Sequence, residues 1–300
     1  MIVFAMKAAP ALAAGNVMVS KAPELNPFSS LYLGELAIQA GFPPGALNVI
    51  IGTVECGQRL ASHPDIRKIS FTGSVAVGKK IQAAATASNV KSVTLELGGK
   101  SPVLVFPDAD IELAVNESYG FLRLNGQGCV LGTRIYVHEK VADEFLEKMK
   151  KKLQNHRNNL QADPWSEDTI SSPLYHHRQK ESVLDFLAKA SKQSEPLVGG
   201  QQVGDKGCYI EPTIYFKPAA DSKIVNEEVF GPVAVIDTFN DEAEVLEKAN
   251  NVEFGLGATI FTQDLDTALR VSDKLEAGTI TINNTNYVDS NMSFGGWKSK

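Results

Sequence analysis

The sequence predicts an α/β protein built on parallel sheet, and three observations point there. Short apolar runs alternate with helical stretches, the helices are long enough to act as crossovers, and Gly-rich or polar motifs follow the strands at their carboxyl ends. In order, Val17–Ser20 reads as a strand, and Pro27–Ala40 as a helix capped by Asn26, with Pro27 first and Gly41 beyond its end. Leu47–Ile51 is an apolar strand closed by Gly52, and Glu55–His63 a helix. Lys68–Phe71 is a strand followed at once by Thr72-Gly73-Ser74, and Val75–Ala87 is a second long helix. Val93–Leu97 is a strand ending in Gly98-Gly99. Ligands of parallel sheets bind at the carboxyl ends of strands, so this segment is a candidate cofactor domain.

The pattern then restarts. Val103–Phe106, Ile135–His138, Tyr209–Phe216, Val233–Phe239, Gly257–Phe261 and Thr279–Asn283 read as strands. Ile111–Arg123, Val141–Gln154, Ser182–Ser191, Glu242–Asn250 and Leu265–Lys274 read as helices, and the polar stretch from Asn158 to Pro173 as a surface loop. Two units follow, residues 1–98 and 99–300, with the seam near Gly98-Gly99.

Composition narrows the function. A hydrophobic share of 43% supports a core, and 29 Lys+Arg against 35 Asp+Glu gives a net charge of −6. That balance, with no basic cluster, argues against nucleic acid and anionic membrane as partners. No run is long enough to cross a bilayer. The opening residues lack a basic leader and Lys7 interrupts their apolar run, so a secretory signal is not expected. Ile2, Val3, Met6, Ala9 and Ala13 fit one helical face, and Pro10 argues for a bend or helix end. Three dispersed cysteines without a CxxC read as reduced thiols of a cytoplasmic protein, and the five histidines show no metal spacing.

Two residues invite chemistry. Cys129 sits in Asn125-Gly126-Gln127-Gly128-Cys129, where glycines allow close approach to the sulfur. A lone cysteine is also a common small buried hydrophobe. Glu96 ends the apolar strand Val93-Thr94-Leu95-Glu96-Leu97, where burial of a carboxylate would be unusual, and a salt-bridged or edge glutamate is the alternative.

Together these motifs resemble the aldehyde dehydrogenase superfamily. Leu95-Glu96-Leu97-Gly98-Gly99-Lys100-Ser101-Pro102 resembles its glutamate motif, Gly126-Gln127-Gly128-Cys129 with Arg134 its cysteine motif, and Phe71-Thr72-Gly73-Ser74 its cofactor loop. Glu228-Val229-Phe230-Gly231-Pro232 and Phe294-Gly295-Gly296 resemble two further signatures, and all five stand in the family's order. The resemblance implies a Rossmann-like cofactor domain, incomplete here, followed by an α/β catalytic domain. It implies that Cys129 attacks an aldehyde, that hydride leaves to a nicotinamide, and that Glu96 activates the water that hydrolyses the thioester. It implies cofactor contacts at Lys21, Glu24, Gly52, Gly73, Ser74, Leu97, Glu228 and Phe230. A carboxylate at Glu24 would accept hydrogen bonds from ribose hydroxyls and repel a 2′-phosphate, which favours NAD over NADP.

The same resemblance implies departures. The family's Pro-Trp-Asn motif, whose asparagine donates to the oxyanion, falls just ahead of the helix that opens near Met1. One such donor is worth about 10²–10³ in rate. A preceding strand and a C-terminal tail that pairs with a neighbouring subunit are likewise expected outside these 300 residues. Missing strands would leave open sheet edges that call for a covering partner. Leu124 stands at a usual asparagine, Leu131 at a common alanine and Ser293 at a common proline. The expected activity is aldehyde oxidation by a protein that is homo-oligomeric when complete. The rival expectation is a catalytically impaired relative that only binds nucleotide or associates with full-length subunits.

Overall fold

A computed structural model describes residues 2–157, 160, 165–167, 169, 171–285 and 291–299. The chain divides into two compact units, Met1–Leu97 and Gly98–Lys300.

The first unit alternates α1 (Ile2–Ala13), β1 (Met18–Ala22), α2 (Phe28–Gln39), β2 (Leu47–Ile51), α3 (Val54–Ser62), β3 (Lys68–Thr72), α4 (Val75–Ser88) and β4 (Ser92–Glu96). Its strands form two separate parallel pairs, β1 with β2 and β3 with β4. Burial is sparse. Among the twenty residues of these four five-residue strands only Ala22 is fully buried, and no residue of α2 is. Parallel strands normally have both faces covered, so this unit is short of packing partners.

The second unit is the opposite case. It contains β5 (Ser101–Val105), α5 (Ile111–Ser118), a 3₁₀ segment over Tyr119–Gly126, β6 (Gly132–His138), α6 (Glu139–Arg157), α7 (His177–Ala190) and β7 (Thr213–Phe216). It continues with α8 (Lys223–Asn226), β8 (Val233–Phe239), α9 (Glu242–Asn250), β9 (Gly257–Phe261), α10 (Leu265–Ser272) and β10 (Thr279–Ile282). Six strands pair in the order β10-β9-β5-β6-β8-β7, every ladder parallel. Every residue of β5 is buried. The period of two along a strand explains how: Val103 and Val105 join Ile135, Phe145 and Met149 on one face, while Leu104 and Phe106 join Tyr136, Val245 and Val271 on the other. A third cluster packs Val183 and Leu187 of α7 on Tyr215, Val233 and Val235.

Several expectations need correction. The apolar face expected on α1 is exposed: Ile2, Val3 and Met6 are 75%, 45% and 44% exposed, whereas Ala8 is buried. The small side chain of Ala8 allows close contact, and hydrophobic spacing alone did not fix the helix rotation. Pro10 lies in the last turn of α1, which ends at Ala13, close to where the proline led a helix end to be expected. Asn26 is not a cap; Pro27 takes that position, and its carbonyl accepts from the N–H groups of Ser30 and Leu31 at 3.1 Å each. The helix read through Arg123 stops at Ser118 and tightens into the 3₁₀ segment. α7 begins at His177 because the ring of His176 accepts the Arg178 N–H at 3.1 Å. The strand read from Tyr209 is regular only from Thr213, immediately after Pro212. Much of the Asn158–Pro173 loop lies outside the described residues. No helix among the described residues is long and apolar enough to cross a membrane.

Packing predicts a contrast. Phe145→Ala, on the buried face of α6, lowers stability by about 3–5 kcal/mol in urea unfolding. Phe28→Ala, on exposed α2, changes it by less than about 0.5 kcal/mol. Equal losses at both positions would contradict the burial pattern.

Candidate active site

In the first unit the residues assigned to chemistry meet at the carboxyl edge of β3 and β4. Thr72 and Glu96 are register partners, and the Gly73 N–H donates to the Glu96 carbonyl at 3.0 Å. Glu96 is half-buried, not fully buried as its apolar strand suggested, because β4 is covered on neither face completely. Ser74 caps α4, its Oγ accepting the Val77 N–H at 3.4 Å. The N-terminus of this 14-residue helix offers free N–H groups suited to a phosphate. A side chain at Gly73 would lie 2.5 Å from the Phe71 ring, so the loop turns without one. Leu97 is buried in the notch left by Gly78, where a Cβ would come within 2.6 Å of it. Gly52 closes β2 against Cys56, whose Cβ would be 2.5 Å from a side chain there.

After β1, Lys21 Nζ pairs with Glu24 Oε1 at 3.1 Å and also donates to the Ala22 carbonyl at 3.2 Å. A hydrogen bond from its own backbone, then Lys21, holds the Glu24 carboxyl below the ordinary glutamate range. The group is therefore a carboxylate at neutral pH. Lys7 joins this edge unannounced by the sequence reading. Burial pushes its ammonium below the usual lysine range, and the charge of Glu96 partly opposes that. A lysine set in an apolar helix was the available signal, and it was read only as an interruption.

In the second unit Cys129 follows the 3₁₀ segment, half-buried. Its loop is shaped by backbone more than by side chains. Leu124 and Asn125 are left-handed, with φ 52° and 54°, and Gly126 follows at 74°. A Cβ at Gly126 would lie 1.9 Å from the Gly231 carbonyl oxygen, so the loop before the cysteine and the loop after Phe230 are in direct backbone contact. A Cβ at Gly99 would lie 2.0 Å from the Cys129 carbonyl oxygen, and one at Gly98 2.3 Å from Glu228 Oε2. The Gly99 N–H donates to Glu228 Oε1 at 3.0 Å. Gly98-Gly99 thus lies between the Cys129 loop and Glu228. Phe230 is itself left-handed, with φ 52°, and its carbonyl accepts from Gln179 Nε2 at 2.8 Å. Gln127 bridges the loop, donating to the Leu124 carbonyl at 3.0 Å and accepting the Tyr175 N–H at 3.0 Å.

Two buried cations stabilise or tune this cluster. Arg134 is fully buried; its Nε donates to the Lys100 carbonyl at 2.8 Å, and its Nη groups reach the carbonyls of Lys248 and Ala249 at 3.1 and 2.8 Å. The guanidinium therefore ties β5 and β6 to the C-terminus of α9, where a positive charge complements the helix dipole. Lys100 is 3% exposed, and burial, then Arg134, push its ammonium down to about 7 against the opposing pull of Glu228 and Glu227. No role for Lys100 was read from the motif that contains it. Among the described residues no cluster of His, Cys, Asp and Glu could hold a metal ion.

Comparison with known proteins fits this arrangement. The model of the Aldehyde dehydrogenase family matches residues 1–299. Aldehyde dehydrogenase family 2 member B4, mitochondrial, of Arabidopsis thaliana is 44% identical over 99% of this chain and 55% of its own length. Retinal dehydrogenase 2 of Taeniopygia guttata is 43% identical over 100% of this chain and 58% of its own. Among solved structures, an NAD+ complex of aldehyde dehydrogenase from Bacillus cereus superposes with a TM-score of 0.94 at 37% identity, covering 99% of this chain and 60% of that one. An NADP dependent enzyme of E. coli gives 0.93 at 38%, covering 98% and 61%. The chain belongs to the aldehyde dehydrogenase family. It spans between about half and two thirds of the length of these relatives.

Lys100 gives the site a pH signature. Its folded value lies below that of the unfolded chain, so the unfolded state binds the extra proton between about 7 and 10.5. Stability from this group is therefore lowest below pH 7 and rises through that window. The urea midpoint of the wild type should climb more from pH 7 to pH 10 than that of Lys100→Met. Parallel curves for the two proteins would show that Lys100 is protonated in the fold.

Proposed function

We propose that this chain carries the thiol and the carboxylate of a nicotinamide-dependent oxidation of an aldehyde to a carboxylic acid. One observation supports the reading above the others: Gly99 lies against the Cys129 carbonyl while its N–H is held by Glu228. A nucleophile loop and a carboxylate suited to ribose hydroxyls therefore belong to one packed cluster.

The residues present fit a dinucleotide. The capped N-terminus of α4 with Gly73 and Ser74 suits a pyrophosphate, and Lys21 and Glu24 suit a ribose. Gly52 and Leu97 on the first unit, and Glu228 and Phe230 on the second, complete the residues we assign to the cofactor. The charged carboxylate of Glu24 supports NAD over NADP. When bound, the nicotinamide supplies a two-electron acceptor for hydride.

In this reading the Cys129 thiolate adds to the aldehyde carbon, and the electron pair of the C=O bond moves to its oxygen. The backbone N–H of Cys129 donates to that oxygen. A free thiol is only a few per cent ionised near neutral pH, so the nucleophile needs activation by neighbouring charge. After the carbon has lost its hydride, a thioester remains on Cys129. Glu96 then takes a proton from the water that attacks the thioester; the C–S bond breaks, and the thiolate is restored. Three dispersed cysteines without a CxxC support the cytoplasmic setting we propose.

Formation of reduced nicotinamide from NAD+ and a simple aldehyde tests the proposal. Cys129→Ala should abolish it, and Glu96→Gln should lower the steady rate by about 10²–10⁴. Activity surviving in Cys129→Ala would reject the nucleophile. Tight NAD+ binding without turnover in the wild type would favour the nucleotide-binding relative.

A further inference from the structure

Three residues other than glycine hold left-handed backbone beside the chemistry assigned to the second unit. Leu124 and Asn125, with φ 52° and 54°, precede Cys129, and Phe230, also at 52°, follows Glu228. A side chain disfavours that region, so such a conformation persists only where its surroundings over-determine it. The two loops brace each other: a Cβ on Gly126 would lie 1.9 Å from the Gly231 carbonyl oxygen and 2.6 Å from the Pro232 nitrogen. Each loop is also fastened, by the amide of one glutamine, at the start of α7.

In the nucleophile loop that glutamine is Gln127. Its Nε2 donates to the Leu124 carbonyl at 3.0 Å, the same carbonyl that accepts the Gln127 N–H at 3.1 Å. Its Oε1 accepts the Tyr175 N–H at 3.0 Å, two residues ahead of α7. In the other loop it is Gln179, whose Nε2 donates to the carbonyls of Phe230 and Val229 at 2.8 and 3.2 Å. Val183, four residues on and so on the same helix face, fills the space beside Gly231, where a Cβ would come within 2.6 Å of its Cγ2. The start of α7 is itself anchored from behind. The Leu174 N–H donates to the Cys208 carbonyl at 2.9 Å, Cys208 Sγ lies 3.4 Å from His177 Nδ1, and Val183 and Leu187 share a core cluster with Cys208. An amide offers a donor and an acceptor at one tip. Glutamate at position 127 would keep the bond from Tyr175 and lose the one to Leu124, and methionine would lose both.

We propose that Gln127 is a positioning residue for the Cys129 sulfur, holding the left-handed turn ahead of the cysteine in register with α7 and with the Phe230 loop. It acts through the backbone of Leu124, Asn125 and Gly126 and takes no chemical step. The inference rests on the reading of Cys129 as the nucleophile.

The test compares the full-length wild-type chain with Gln127→Met and Gln127→Glu. Exchange of the Tyr175 amide hydrogen should speed up at least about threefold in Gln127→Met and keep the wild-type rate in Gln127→Glu. Alkylation of Cys129 by iodoacetamide, followed by peptide mass, should rise at least about threefold in Gln127→Met, because a half-buried sulfur gains access once its loop is released. Alkylation of buried Cys208 should stay unchanged. Turnover should move the other way. The kcat for reduced nicotinamide should fall by about 10–100-fold while the KM for NAD+ stays within about twofold, since a sulfur displaced by about 1 Å loses its attack geometry. Should Gln127→Met fail to fold, Gln127→Glu carries the turnover measurement, having lost the bond to Leu124. Equal acceleration at Cys129 and Cys208 would mean a loosened fold and overturn the proposal, as would Tyr175 exchange and Cys129 alkylation both at wild-type rates. A wild type that forms no reduced nicotinamide counts against the oxidation proposed above; exchange and alkylation then decide the role of Gln127 by themselves.

Discussion

The Cys129 loop exists in its observed form because residue 99 has no side chain. The Cys129 carbonyl oxygen occupies the place where a Cβ would be, 2.0 Å from its ideal position. No rotamer change relieves a clash between backbone and Cβ, so an alanine there must displace the whole loop. The adjacent Gly98 yields its side-chain space to Glu228, which in turn accepts the Gly99 N–H. Two consecutive glycines thus bring the Cys129 loop and the Glu228 carboxylate together. Arg134 fixes the same stretch from below through the Lys100 carbonyl.

The two units differ in how far they satisfy the demands of parallel sheet. The second has six strands whose alternate side chains feed separate cores on opposite faces. The first has two pairs, each with unpaired edges, and most of its apolar residues remain partly open. Every residue assigned to the pyrophosphate and adenosine side of the cofactor lies on that sparser unit.

Much of this was legible in the sequence. The strands from Leu47, Lys68, Val233 and Gly257 were found because short apolar runs ended in Gly or polar turns. The family was legible because five motifs, among them those around Glu96 and Cys129, stand in its order. What escaped depended on tertiary context. The rotation of α1 was misread because its less exposed side runs through Phe4, Lys7, Ala8, Ala11 and Leu12 rather than through Ile2, Val3 and Met6. The end of the helix before Cys129 was misread because Leu124 adopts a left-handed conformation that its side chain does not favour. An asparagine, usual in the family at that position, would have announced the turn. The burial of Glu96 was overestimated because an apolar strand was assumed to be covered on both faces. Lys7 and Lys100 stayed silent because a lysine in sequence carries no mark of burial.

The proposed oxidation passes through a covalent bond between the substrate and the sulfur at position 129. Glu96→Gln mixed with NAD+ and an aldehyde, quenched in acid and digested, should yield an acylated peptide containing Cys129, its mass increased by the acyl group replacing the thiol hydrogen. An unmodified Cys129 peptide in a protein that has produced reduced nicotinamide, or the acyl group on Cys56 or Cys208 instead, would contradict it.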